Sequence, residues 1–556
     1  MAANPRIPQQ QIRIPTPVAG LNTRDSLMMT GPEYCLAMYN MLPRPLGLEI
    51  RKGYKKWLPT NTSLGAEIRS LMVFSNPGGT ANKLFACTAD TNNSIWDVTT
   101  PNAVPPTPVP VANPGVKTSI QTANTATYPG EWTGINFNTP TSSFLCAVSL
   151  GVGYFLYSTT AGWVKVQDGS GAGNIKFEHA GVTYQSSSML FIFSWKSRIW
   201  FLQAGTGLAW YLPVNSITGV AKAIDLGQFM KRGGGFAYAT DWTYDSGSGI
   251  DDSLIFVSNN GDMVVYQGTD PDTAAQFLLK GIWYVGRIPP GRRGFCQYAG
   301  DVLIVTEYGV LSVTELVSGK MVDLQGENSV GGKFNPTIGR NVSNAVSGKY
   351  WQLFSYPTEE FVYLCSPHIN AETGNKISYS MSHWTKAWTT HTNLPSLCVI
   401  LFGGAMIWGG ADGRVYQGFT GFTDNASWDG TEPGTYVTGY FQTGFYDYGT
   451  PTQNKRAQRI RLVGLCDGTP GYIARIVSEY DFTFTGSPSN TSSSGTSLWD
   501  SATWDQSMWQ SQAATFKKWY GVAGFGKKLS TQVAVRGLGA TIVTDYEVTY
   551  ENGIGL

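Results

Sequence analysis

Charge is scarce in this sequence. Charged residues occupy 14% of its 556 positions, against roughly a quarter in an average globular chain. The 39 Lys and Arg nearly cancel the 38 Asp and Glu, leaving a net charge of +1. A chain so balanced exerts no overall pull on nucleic acid or acidic membrane, which argues against a DNA-wrapping protein. Cysteines are few and scattered: Cys35, Cys87, Cys146, Cys296, Cys365, Cys398 and Cys466 include no C-x-x-C pair. Their odd number argues against a disulfide framework, and the pattern predicts reduced, buried thiols in a protein that folds in a cytosol. The four histidines, His179, His368, His383 and His391, form no HExxH and no cluster with cysteine, so neither a metal nor another cofactor is expected. The opening MAANPRIPQQ lacks the apolar stretch of a signal peptide. The longest apolar run, LCVILFGGAMIWGG, is too short and too broken by glycine to span a bilayer, so no membrane anchor is expected.

What the chain has in abundance is glycine, at 65 residues, and aromatics, at 13%. Short β-branched and aromatic bursts alternate with Gly, Asn, Asp and Pro, the pattern of strands and tight turns. Hairpins recur, and one turn residue from each gives Asn93, Gly151, Gly207, Gly261, Gly309, Gly374 and Gly413. A hairpin about every fifty residues is the signature of a β-propeller, whose small sheets bury their faces only by stacking on neighbours. The expected architecture is therefore all-β, with about seven blade-like units over residues 61–430. A series of two-sheet sandwiches is the rival. Segments 97–140, 267–295 and 319–349 read as loop insertions, and residues 431–556 as a separate β-sandwich. Within residues 1–60, Thr30-Gly31-Pro32-Glu33 forms a capping box followed by Tyr34, Ala37, Met38 and Met41 at helical spacing. This predicts one short helix ending before Pro43.

Chemical motifs are weak. Gly521, Gly526 and Lys527 fit G-x-x-x-x-G-K, but Lys528 replaces the Ser or Thr that would hold magnesium, and a strand rather than a helix follows. No G-x-S-x-G elbow is present. The carboxylate pairs Asp251/Asp252 and Glu359/Glu360 read as solvated turn residues rather than glycosidase acids, since adjacent side chains on a strand point apart. Basic groups occur at 51–56, 231–235, 291–294 and 455–461. Lys231, Arg232, Arg292 and Arg293 lie in Gly-bounded loops, where they are candidates for contact with DNA phosphate or an acidic partner, or are simply solvated. Trp499, Trp504 and Trp509 stand five apart in LWDSATWDQSMWQ, a step that matches neither helix nor strand. They read as successive turns laying indoles inward, as packing anchors in preference to a sugar platform.

The two ends of the chain resemble tail nozzle proteins of short-tailed bacteriophages, also called tail tubular protein B, and related packaged-DNA stabilisation proteins. At the start, YNMLP is followed by GLEIRKGYKKW, placing Asn40, Arg51, Gly53 and Tyr54 on the family's Asn and Arg-x-Gly-Tyr positions. At the end come a Lys/Arg-rich strand, Tyr480-Asp481, the Trp ladder, KWYGVAGFGKKLS and the terminal YENGIGL. The resemblance implies a non-enzymatic virion protein of the tail, made in the bacterial host cytoplasm. It would form a homo-hexameric ring below the portal and the tail adaptor protein, dock tail fibre or receptor-binding proteins, retain packaged double-stranded DNA and conduct it at ejection. Arg51, Gly53, Tyr54 and the three tryptophans would then pack subunits or the platform. Near-zero charge suits a conduit, because each lining cation adds counterion-release affinity for the cargo. Two alternatives stand beside this one: a propeller glycan hydrolase of a tail, and a glycan- or receptor-binding adhesin.

Overall fold

The computed structural model describes residues 9–553 apart from 28, 80, 91–92, 106–128, 244–251, 320–329, 346–350, 370–373, 375, 468–469, 479–487 and 489–513. Seven small antiparallel sheets follow one another and close into a ring, a seven-bladed β-propeller. Their inner strands are Ile68–Phe74, Thr133–Asn138, Met189–Trp195, Phe236–Thr243, Phe295–Tyr298, Gln352–Tyr356 and Cys398–Phe402. Each packs beside the next, and the seventh returns to the first. Six of the seven turn residues read from the sequence fall in the connection between the second and third strands of their blades, and Gly309 opens the third strand of blade five. The spacing worked because blades are built outward from the axis in chain order, so the same turn recurs at the same radius.

Aromatic side chains pack between blades three and four. Phe193, Trp195 and Trp200 of the third blade meet Phe256 and Phe277 of the fourth, with ring centroids 5.6–6.2 Å apart. Each such fully buried side chain contributes about 1.5–3 kcal/mol. The ring is closed by a strand from far away in sequence: Tyr54–Lys56 forms the outer strand of blade seven, pairing with Val415–Gly418. Blades seven and one meet where Cys398 Sγ donates to the carbonyl of Ile68 at 3.4 Å.

The rest of the chain forms a two-sheet platform on the rim. One sheet orders Met41–Arg44, Gly47–Ile50, Thr541–Asn552, Lys455–Cys466 and Ala514–Gly526, with Gln9–Pro15 also paired to Thr541–Asn552. The second sheet continues blade six itself. Beyond the outer strand Trp388–Thr392 come Tyr34–Tyr39, Thr438–Thr443, Leu529–Arg536 and Gly471–Ser478, all in one nine-stranded sheet. Phe441, Ile460, Leu462, Val533, Val543 and Tyr546 fill the space between the two sheets, and the same core runs into blades five and six through Val305, Phe334 and Leu353. Propeller and platform therefore share one hydrophobic core.

Three expectations are corrected. Residues 34–39 are a strand, not a helix. Thr30 Oγ1 bonds the Ser26 carbonyl instead of capping a turn, and the segment pairs with Thr438–Thr443 around a bulge that reproduces a near-helical burial spacing. Segment 267–295 is not only an insertion, since Phe277–Tyr284 is the outer strand of blade four. Likewise 97–140 contains the inner strand of blade two, and 319–349 contains the helix Asn335–Ser343, packed on the last strand of blade five. Residues 1–60 divide between platform and propeller. Gly521–Gly526 lie within a platform strand, and Lys527 and Lys528 form the turn to the next, so no helix stands where a phosphate cradle would need one. Among the described residues no helix is long and apolar enough to cross a membrane.

Candidate functional site

Two places gather the residues singled out in the sequence. The first is the junction between propeller and platform. Asn40 ends the platform strand Tyr34–Tyr39 with φ 56°, a left-handed backbone that Asn tolerates. Its amide then reaches three elements. Nδ2 donates to Thr392 Oγ1 (3.0 Å) and to the Thr438 carbonyl (3.3 Å), and Oδ1 accepts from Arg51 Nε (2.9 Å) and Thr392 N (3.0 Å). Arg51, whose side chain is 0% exposed, meets Asp424 through Nη1 and Nη2, both at 2.7 Å, and its Nη groups also donate to the carbonyls of Lys52 and Thr392. A two-pronged guanidinium–carboxylate contact of this kind fixes orientation as well as distance. Gly53 is required by proximity, since a Cβ there would stand 1.9 Å from the Thr423 carbonyl oxygen. Tyr54 packs edge-on against Trp408 and Tyr416, and burial pushes its phenol pKa up. Asn40, Arg51, Gly53 and Tyr54 thus form one clamp joining blade six, blade seven and the platform within a single chain.

The second place is the propeller axis. Inner strands present unpaired N–H and C=O groups along their edges. Side chains bridge neighbouring blades there, some by bonding these groups and some by bonding each other. Asn136 of blade two accepts from Ser75 N and donates to the Val73 carbonyl, each at 2.9 Å. Gln352 of blade six exchanges two bonds with the backbone of Val399, at 2.7 and 2.8 Å. Gln297 Nε2 donates to Asp241 Oδ1 at 2.8 Å. The loop before blade five crosses the same region. Arg292 Nη1 bonds the Leu190 carbonyl at 2.7 Å, with Glu131 at 3.4 Å. Arg293 reaches the carbonyls of Arg69 and Trp132, both at 2.9 Å, and Ser70 Oγ at 2.5 Å. A cavity of 520 Å³ on the axis is lined by all seven inner strands and by Arg292 and Arg293. This feature is invisible in a one-dimensional reading, because its lining is assembled from positions over 300 residues apart.

The other candidates separate from these. Arg232 lies over the Tyr284 ring at 3.7 Å and bonds Asp262, while Lys231 beside it is exposed. Lys455 of the basic strand is buried, its ammonium donating to the carbonyls of Thr450, Gln453 and Lys527 at 2.7–3.0 Å. Arg461 of that strand pairs with Glu547 and stacks on Trp519 at 4.8 Å. Arg456 and Arg459 point to solvent. Glu359 and Glu360 are engaged by Arg44 and Lys52, and Asp252 by Lys196; Asp251 lies outside the described residues, as do Trp499, Trp504, Trp509 and the pair Tyr480-Asp481. His391 is fully buried in blade six, hydrogen-bonded to Ser380 Oγ at 2.8 Å, and desolvation holds its pKa well below the usual histidine value. All seven cysteines are free and buried, and burial pushes the Cys146 and Cys398 thiols up to about 12, so they are unreactive as nucleophiles near neutral pH. Among the described residues no group of three or more His, Cys, Asp or Glu could hold a metal ion.

No family model and no curated protein matches the chain. Solved structures to which it is similar include YCF48 from Cyanidioschyzon merolae (9% identity, 66% of this chain and 98% of that one, TM-score 0.38). They also include BBS1N in complex with ARL6DN (9% identity, 67% and 98%, TM-score 0.37) and the computationally designed Ika8 protein (10% identity, 66% and 100%, TM-score 0.35). The propeller rests on the chain's own strand order.

Proposed function

We propose that this chain is a wall subunit of the tail of a short-tailed bacteriophage, assembling as a hexameric nozzle ring beneath the tail adaptor. In that role it retains packaged double-stranded DNA, conducts it at ejection and docks tail fibre or receptor-binding proteins. It is made in the bacterial host cytoplasm, ends in the virion tail and acts structurally, without catalysis. The observation that carries this reading is the clamp. Asn40, Arg51, Gly53 and Tyr54, the residues on which the family resemblance at the N-terminus rests, are spent on fixing propeller to platform. A wall that contains pressurised DNA cannot hinge between its parts, and a shared core with a buried ion pair removes the hinge.

The stitched axis supports the same reading from another side. A duplex is far wider than a cavity crossed by Arg292 and Arg293, so a conduit built from this chain must open between subunits, not through the blades. Weak overall charge, with Arg13 and Arg461 of the platform face paired to Asp545 and Glu547, suits a lining that lets phosphate slide. Lys231 and Arg232 stay candidates for contact with DNA or a partner, whereas Arg292 and Arg293 are assigned to the interior. Mass photometry of the purified full-length chain, with and without the adaptor, tests the reading: a species of six chain masses is expected. Trp504→Ala should impair that assembly; normal hexamers with lowered binding to host glycan would instead assign the ladder to recognition.

A further inference from the structure

We propose that the axial cavity is a binding site for an acidic sugar of monosaccharide size, its carboxylate held by Arg293. The cavity is open to solvent, and its volume, 520 Å³, is ample for a ligand of that size. The chemistry follows from what Arg293 lacks. Its five N–H groups meet two carbonyls and one hydroxyl, and among the described residues no carboxylate lies within ion-pair reach of it. Arg292 beside it is matched by Glu131, so that carboxylate is already engaged. A guanidinium drawn partly out of water with neutral acceptors alone keeps an uncompensated charge, and a carboxylate seated on its remaining N–H groups would be bound by short, charge-assisted bonds.

The rest of the lining selects what the carboxylate is attached to. Asp241, whose Oδ1 takes the Gln297 amide, offers Oδ2 to a donor, and Thr133 and Ser194 add hydroxyls. These suit a polyhydroxylated ring, while Leu71 and Ile135 give its C–H groups an apolar surface. Asp241 also disfavours a second negative charge, which selects a carboxylate over a phosphate ester. The site lies within one chain and does not depend on ring assembly.

Isothermal titration calorimetry of the full-length chain with D-glucuronate, D-glucose and acetate tests this. Glucuronate should saturate with a Kd at least about tenfold lower than either control, since each supplies only half of the contacts. Arg293→Gln should weaken glucuronate by about tenfold or more. Ser194→Tyr, which adds a ring at an exposed lining position that makes none of the bonds between blades described above, should abolish binding with an unchanged melting temperature, and it decides the matter if Arg293→Gln does not fold. Absence of saturable heat with glucuronate, acetate binding as tightly as glucuronate, or undiminished binding in Ser194→Tyr would overturn the proposal.

Discussion

Removing Asp424 isolates the physics of the clamp. Arg51 is completely withdrawn from solvent, and Asp424 is 18% exposed. In Asp424→Ala the guanidinium keeps Asn40 and two carbonyls but loses its counter-charge and both 2.7 Å bonds. Stripping one partner from a buried pair costs about 3–5 kcal/mol, because the remaining charge is left uncompensated. The partial exposure of Asp424 places this case at about 3 kcal/mol. The clamp is one joint in a large chain, so the suitable readout is local opening. Hydrogen exchange of peptides covering 388–393 and 421–438 should quicken by about a hundredfold, since each 1.4 kcal/mol is tenfold. Peptides of blades three and four should be unaffected. In Arg51→Met/Asp424→Leu, which removes both charges, most of the protection should return. Unchanged exchange in the single variant, or equal loss in the double one, would refute the claim that an ion pair holds the junction.

Other outcomes follow from the same contacts. Gly53→Ala drives a methyl into the Thr423 carbonyl, and overpacking of this kind should cost about 1–3 kcal/mol, seen as a lowered midpoint of thermal unfolding. Because His391 has a folded pKa below its unfolded value, its contribution to stability is full above about pH 6.5 and is lost as pH falls below that, by up to about 1.4 kcal/mol per unit. His391→Gln should flatten the acid limb of a melting-temperature profile between pH 7.5 and 5, and an unaltered limb would contradict this. Lys455→Met leaves three carbonyls without their donor, so amides of the turn 447–454 should lose exchange protection by about tenfold or more.

The blades were legible because each contributes the same local signal, a hairpin with Gly or Asn at its turn, and because stacking repeats it at constant spacing. The strand at 34–39 was not. Its capping box and helical spacing are real, but pairing with Thr438–Thr443 on one side and the edge of blade six on the other outweighs a local preference worth about 1 kcal/mol. Arg51, Gly53 and Tyr54 could be named from their motif, yet their partner Asp424 lies 373 residues away from Arg51, and nothing local in the sequence points to it. Arg292 and Arg293 looked like solvated loop cations because Gly291 and Gly294 flank them. The glycines instead let the loop turn inward to the axis, where unpaired strand edges draw the guanidinium groups. The cavity has no linear signal at all, being lined by short stretches of seven strands that lie far apart in the chain.

Cryo-electron microscopy of the purified full-length chain tests the central claim most directly. The account predicts closed rings of six copies, each a seven-bladed propeller fixed to its platform in one orientation, with the central passage between copies. Particles that remain single at micromolar concentration with the adaptor present, or propellers that swing relative to their platforms, would contradict it.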